Sequence, residues 1–294
     1  MGLFDSGLES RTIAGYRTAI ASALDAKGRG VGSNVALSKL IKSFFVDRPV
    51  RQNIFPQWDL SIVLAGLRSS PFELKDMSKL ELSHLTYKTV FLLMLASGAR
   101  RGEIHALDFS KLGWSEGKNV VHLKPNPFFM AKTHAPDKPL TAFKGFSIVS
   151  LSASLGRDDP DRALCPVRSL KYYIQRTSAF RAGRKPLFLP LNAKSVSVKA
   201  NTVSSWVKKA IKLAYMAADK VPELRELHGI RAHEVRALAS SWDALKQVSF
   251  NDIMQACRWR NHTTFTDFYL RDMTQIEAGL LAFKAVPTPS MCRP

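Results

Sequence analysis

The chain has 294 residues, 46% hydrophobic and 23% charged, which is enough apolar material for a sizeable core and too much for a disordered chain. Lys and Arg number 43 against 24 Asp and Glu, and the net charge of +19 calls for a polyanionic partner, nucleic acid first and an anionic membrane surface second. The longest apolar run, Val90 to Ala96, falls far short of the ~20 residues a membrane-spanning helix needs. Asp5 and Glu9 do not suit a secretory signal. Cys165, Cys257 and Cys292 form no CxxC, which speaks against a disulfide scaffold and a cysteine zinc module and for a reducing, intracellular setting.

Apolar positions at helical spacing predict a first helix over Arg11 to Lys27, closed by the glycines of Gly28 to Gly32. Asn34 can cap a second helix that ends before Pro49. A helical domain over residues 1–52, a proline-containing linker over 53–58 and a larger domain over 59–294 follow. Residues 1–52 carry eight basic and four acidic side chains, a net +4 that leaves +15 for the rest, so two basic domains could close round a duplex. In the larger domain Asp59 can cap a helix through Leu67, and Leu85 to Ser97 is apolar nearly all round, as a buried helix is. Val120 to Leu123, Pro127 to Ala131 and Phe146 to Leu151 read as short strands of a small antiparallel sheet. Pro166 opens a helix through Thr177, Asn201 caps one to Ala217, and two more cover Ala232 to Leu245 and Asn251 to Arg258. The expected fold is mainly α with this small sheet.

Three clusters carry chemistry. In the first, Ser97 to Ile104, Gly98 breaks the chain so that Arg100 lies near a new helix N-terminus, where a guanidinium can hold two phosphate oxygens. Glu103, three residues on, can brace it; the bland reading is a helical ion pair. In the second, His233 and Arg236 project from the side of a helix opposite Val235, Leu238, Trp242 and Leu245, a pairing suited to phosphate binding and proton management. H-x-x-R alone is as well explained by a solvated helix face. In the third, Tyr269 ends a basic, Thr-rich stretch, and a phenol can attack phosphorus if nearby cations favour phenolate. Five other tyrosines make that signal weak on its own.

Together these clusters resemble the catalytic domain of tyrosine recombinases, whose order along the chain is Arg, Lys in a hairpin, HxxR, His or Trp, and Tyr. Here they read Arg100, Lys132, His233 with Arg236, Trp259 and Tyr269. The segments SGARRGEIHAL, FFMAKTH, CPVRSLKYY, HEVRALASSW and TTFTDFYLRD are most similar to recombinases of DIRS-like retrotransposons. The resemblance spans nearly the whole chain, including an N-terminal part similar to the family's core-binding domain. It implies phosphoryl transfer on double-stranded DNA without metal or other cofactor. Tyr269 would form a 3′-phosphotyrosyl bond, Arg100 and Arg236 would hold the non-bridging oxygens, His233 would serve as acid or base, and Trp259 would position. Lys132 would be the general acid, with Lys124, Lys138 and Lys144 of the same segment left as alternatives. A nuclear location follows from the same resemblance.

Ile276, Leu280, Leu281 and Phe283 form an apolar stripe after Tyr269; the family's habit implies a homotetramer on DNA that exchanges this tail, and the alternative is that it packs on its own core. A catalytically silent DNA-binding descendant of a mobile element is the runner-up. A type IB topoisomerase would share the chemistry as a monomer. No paired carboxylates suit a two-metal nuclease, and His228, His233, His262 and Cys257 match no common zinc spacing.

Overall fold

The computed structural model describes residues 2–49, 54–132, 142–192, 197–227 and 229–291. It divides into two compact units, 1–53 and 54–294. The first holds helices α1 (Gly2–Asp5), α2 (Ser10–Asp25) and α3 (Val35–Asp47). The Asn34 side chain accepts from the Leu37 amide at 2.9 Å, the cap that starts α3. Its small core is Ile13, Ile41 and Phe44, with Phe4 stacked on Phe44 at 4.3 Å and the Arg48 guanidinium over Phe4 at 3.8 Å.

The second unit is built round α5 (Leu82–Ser97), which is buried without a break from Leu85 to Ser97. It follows α4 (Leu60–Leu67), which Asp59 caps through the Ser61 amide at 2.7 Å. Trp58, inside the stretch expected as linker, is only 2% exposed and packs near Phe91 in this core. Gly98, at φ 54°, ends α5, and the chain restarts as the short helix α6 (Arg101–His105). Three strands, β1 (Gly113–Trp114), β2 (Val120–Leu123) and β3 (Phe146–Val149), form an antiparallel sheet in that order, with Val121 opposite Trp114 and Ile148. Residues 127–131, expected as a strand, are turn and irregular chain, and β1 takes the place beside β2. Phe128 is 91% exposed while Phe129 packs on Phe143 at 6.0 Å and Ala131 is buried, so the run is anchored through side chains and joins no strand ladder.

Then come α7 (Pro166–Thr177), α8 (Ala200–Ala217), α9 (Val221–Glu226), α10 (Glu234–Leu245), α11 (Phe250–Cys257), α12 (His262–Phe268) and α13 (Thr274–Leu281). Lys199 occupies the cap position of α8, and Asn201 lies one residue inside the helix rather than before it. Helices α7, α8 and α10 pack on α5, and α4 lies so close to α8 that a Cβ on Gly66 would stand 2.1 Å from the Ala214 carbonyl oxygen. The tail packs on the chain's own core: Ile276, Leu280, Phe283 and Val286 join the main cluster, the Lys284 amide donates to Asp161, and Ser290 bonds to Asp243. The stripe expected to pass to a neighbour is spent here within one chain, apart from Leu281, which is exposed. No helix among the described residues is long and apolar enough to cross a membrane.

Candidate active site

Helix α10 separates two apolar clusters. Val235, Leu238, Ala239 and Trp242 face the main core, while Ala237 joins a second cluster with Ile253, Met254, Cys257, Trp259, Phe265 and Tyr269. The polar pair does leave the core face, as the helical spacing requires, but only His233 meets solvent; Arg236 is 1% exposed. Leu245, counted in the core stripe, is 38% exposed at the helix end.

Arg236 lies beneath the aromatic rings, its guanidinium carbon 4.5 Å from the Trp259 centroid and 5.4 Å from that of Tyr269. Its Nη atoms donate to the carbonyls of Gly98 and Cys257, and its Nε has no partner among the described residues. A two-pronged grip on phosphate by this arginine is therefore occupied by backbone, which leaves Nε and the buried charge. Burial, then the charges of Arg100 and Arg258, bring its pKa down to about 10, so it remains charged at neutral pH. Gly98 makes the approach possible: its φ is positive, and a Cβ there would come within 2.7 Å of the Cys257 sulfur.

Arg100 caps α6, and Glu103 reaches back to it, accepting from the Arg100 amide at 2.9 Å and from its guanidinium at 2.8 Å. The bracing expected at this spacing is present. Glu103 also accepts from Arg258 at 3.0 Å. Burial alone would raise the Glu103 pKa; Arg258, the Arg100 amide, Arg100 and Arg236 together outweigh it and hold the carboxyl below its ordinary value. Arg258 had no role assigned from the sequence. It ends α11 at φ 55°, ψ 45°, a left-handed conformation that costs a non-glycine residue about 1–2 kcal/mol. Its Nε, too, has no partner. The local sequence carries no sign of this, because the partner carboxylate lies 155 residues away.

Tyr269 directly follows α12 and is 9% exposed. Its ring centroid is 4.9 Å from His233 and 4.6 Å from Trp259. Trp259 stacks on Phe265 at 5.3 Å, and its indole N–H is buried without a partner. His233 is pushed down to about pKa 4, first by partial burial of the ring and then by Arg236, Arg271, Arg100 and Lys132. Lys132 is exposed on irregular chain rather than on a hairpin strand, and its charge is felt at His233. Lys124 and Lys144 line a cleft of about 760 Å³ beside the sheet, with His122 and Arg258, and Arg258 connects it to the site. Lys138, His228 and Cys292 lie outside the described residues.

His233, Arg236, Trp259 and Tyr269 thus pack together, Arg100 and Lys132 are near enough for their charges to act on His233, and Glu103 joins Arg100 to Arg258. Three buried donors are left open there: Arg236 Nε, Arg258 Nε and Trp259 Nε1. A buried donor without a partner is costly, and three of them lie within one site. Among the described residues no group of three or more His, Cys, Asp or Glu could hold a metal ion.

No protein-family model matches the chain, and no curated protein matches it. Solved structures similar to it include that of XerA recombinase, at 11% identity over 96% of this chain and 85% of the other, with a TM-score of 0.48. Another is a lambda integrase(75–356) dimer bound to a COC′ core site, at 14% identity over 93% of this chain and 77% of the other, with a TM-score of 0.49.

Proposed function

We propose that the chain cleaves and rejoins double-stranded DNA through a 3′-phosphotyrosyl bond at Tyr269. In the forward step the phenol oxygen attacks phosphorus as the bond to the 5′-oxygen breaks. The phenol proton passes to His233, and Lys132 protonates the departing 5′-oxygen. In the reverse step a 5′-hydroxyl attacks the phosphotyrosine and the protons return. The cations Arg100, Arg236 and Arg258 and the indole N–H of Trp259 stabilise the charge that gathers on the non-bridging oxygens. With a pKa near 4, His233 is neutral at pH 7 and able to accept a proton. A bound phosphate offsets the surrounding cations and makes it a stronger base.

The observation that carries this reading is the packing of the Tyr269 ring against His233 and Trp259, beside the buried cation Arg236 and three buried donors without a partner among the described residues. The net charge of +19 supplies the affinity for a duplex. The motif resemblance extends the reading to integration or recombination of mobile-element DNA, in the nucleus, by a homotetramer assembled on DNA. Exchange of the tail in that assembly requires its release from its own core. The division of labour proposed for the chain is DNA clamping by residues 1–52 and chemistry by 59–294.

The test is trapping of a covalent complex on nicked DNA in EDTA, with Tyr269→Phe as control. Terminal-repeat and circle-junction sequences serve as substrates. An adduct with the wild type that is absent from Tyr269→Phe supports the reading. Tight binding without an adduct on any substrate replaces it with binding alone.

A further inference from the structure

The loop that leads from β2 to Lys132 is pinned on one side and bare on the other. Its start is tied to the end of α6, the helix that Arg100 opens: the Asn126 amide donates to the Ala106 carbonyl at 2.8 Å, and Leu107 pairs with Pro125 in an antiparallel bridge. The Asn126 side chain accepts from the Phe128 amide at 2.9 Å, and the Asn126 carbonyl accepts from the Phe129 amide at 3.0 Å. Phe129 lies against Gly102 and meets Phe143 edge-on at 6.0 Å, and the Arg258 guanidinium lies over Phe143 at 5.2 Å. Ala131 is buried. Between these anchors Phe128 is the most exposed large apolar side chain among the described residues, Met130 is 57% exposed, and Lys132 is exposed in the same alternation.

Two apolar side chains held in water on an anchored loop forgo the free energy of burial. The chemistry round them points to what covers them. Residues 117–136 include no Asp or Glu, and exposed Lys124 and Lys132 stand on either side of the pair, so the surface suits a polyanion that also offers apolar faces. The charge of Lys132 is felt at His233, which places the loop beside the phosphate site. Phe and Met are side chains that enter between base steps, and an aromatic ring stacks on any base.

We infer that Phe128, backed by Met130, inserts between base pairs next to the phosphate that Tyr269 attacks and unstacks that step. The inference rests on the phosphotyrosine reading above and adds the deformation of the DNA that accompanies it. Because the loop is fixed to α6, the ring enters the duplex in register with the phosphate contact of Arg100. The lost base stacking is offset by stacking on the ring, and the 5′-hydroxyl end is freed from its neighbours, ready to leave for another strand.

Fluorescence of 2-aminopurine, which rises when the base unstacks, tests the insertion when the probe is scanned through the nicked substrates; the wild-type adduct on the same DNA marks the cleaved phosphate. Tyr269→Phe, which lacks the nucleophile, should raise the signal about twofold or more at a step beside that phosphate. In that background Phe128→Ala should abolish the rise and lower duplex affinity about tenfold. The salt dependence of binding should stay the same, since no phosphate contact is removed. Phe128→Trp should keep both signal and affinity. Phe128 is exposed, so these substitutions leave the fold intact. A flat signal, or a rise that survives in Phe128→Ala, overturns the insertion while leaving the phosphotyrosine reading intact. A flat signal together with Phe128-dependent binding to phosphatidylserine vesicles overturns it in favour of a membrane contact. Absence of adduct with the wild type on every substrate defeats the underlying reading, and this inference with it.

Discussion

Two glutamates in this protein, half-buried Glu73 and buried Glu103, each sit between two cations, and they differ in what surrounds them. Glu73 takes Lys88 on one oxygen at 2.6 Å and Arg168 on the other, and Lys88 gives a further bond to the Phe72 carbonyl. No side-chain atom of those three residues is buried without a partner, and the cluster closes on itself as a staple between α5 and α7. Glu103 takes Arg100 and Arg258 in the same way, yet Arg258 and nearby Arg236 each keep a buried donor open, beside the open indole N–H of Trp259. Unpartnered indoles occur elsewhere, at Trp58 and Trp242, but singly and in the core. Buried polar groups are normally satisfied, so the open donors round Glu103 set this cluster apart from the closed one at Glu73, and on the proposed function they are the anion's share.

The largest expected difference between the two clusters is in catalysis. Arg236→Lys should lower the rate of adduct formation on the order of 10²–10³-fold, whereas Arg168→Lys, measured per folded molecule, should leave it unchanged; a similar loss in both would erase the distinction. Removal of either glutamate leaves two cations facing each other. Glu73→Ala and Glu103→Ala should each cost about 2–4 kcal/mol in denaturant unfolding, and only Glu103→Ala should also slow cleavage at saturating DNA.

A subtler consequence is the pH response of His233. With its folded pKa near 4 below the unfolded ~6.5, the unfolded chain binds the extra proton first. The His233 contribution to stability is therefore full above about pH 6.5 and lost as the pH falls toward 4. Imidazole NMR should show one histidine titrating near pH 4 in the free protein and nearer neutrality when a DNA phosphate is bound. A bound-state value unchanged from the free one would mean that no anion enters beside it. The smallest effect is expected for Trp259→Phe, which retains the ring stack and removes the N–H: stability within about 1 kcal/mol and cleavage slowed about tenfold, one hydrogen bond's worth.

The sequence made legible what local chemistry decides. Asn34 and Asp59 cap the helices they precede, Pro166 opens α7, and the apolar run of α5 is buried throughout. Arg100, His233, Arg236, Trp259 and Tyr269 were singled out as candidates because they stand in motifs. What stayed hidden depends on distant partners: Arg258 pairs with Glu103, Ser241 with the backbone at Tyr269, and Glu234 with Arg271. The strand expected at 127–131 shows the converse. Its β-rich composition reads as a strand alone, but strands form where a face is covered, and the two residues of β1 cover β2 instead. Arg236 was expected to offer its fork to phosphate, and no spacing rule foresees that the Gly98 and Cys257 carbonyls take both prongs.

Mass-spectrometric mapping of the trapped complex reads the identity of the nucleophile and the polarity of the linkage. After tryptic and nuclease digestion, a nucleotide mass is expected on the peptide spanning 261–271, localised by fragmentation to Tyr269, with DNA joined through its 3′-phosphate. A nucleotide on any other residue, or linkage through a 5′-phosphate, would contradict it.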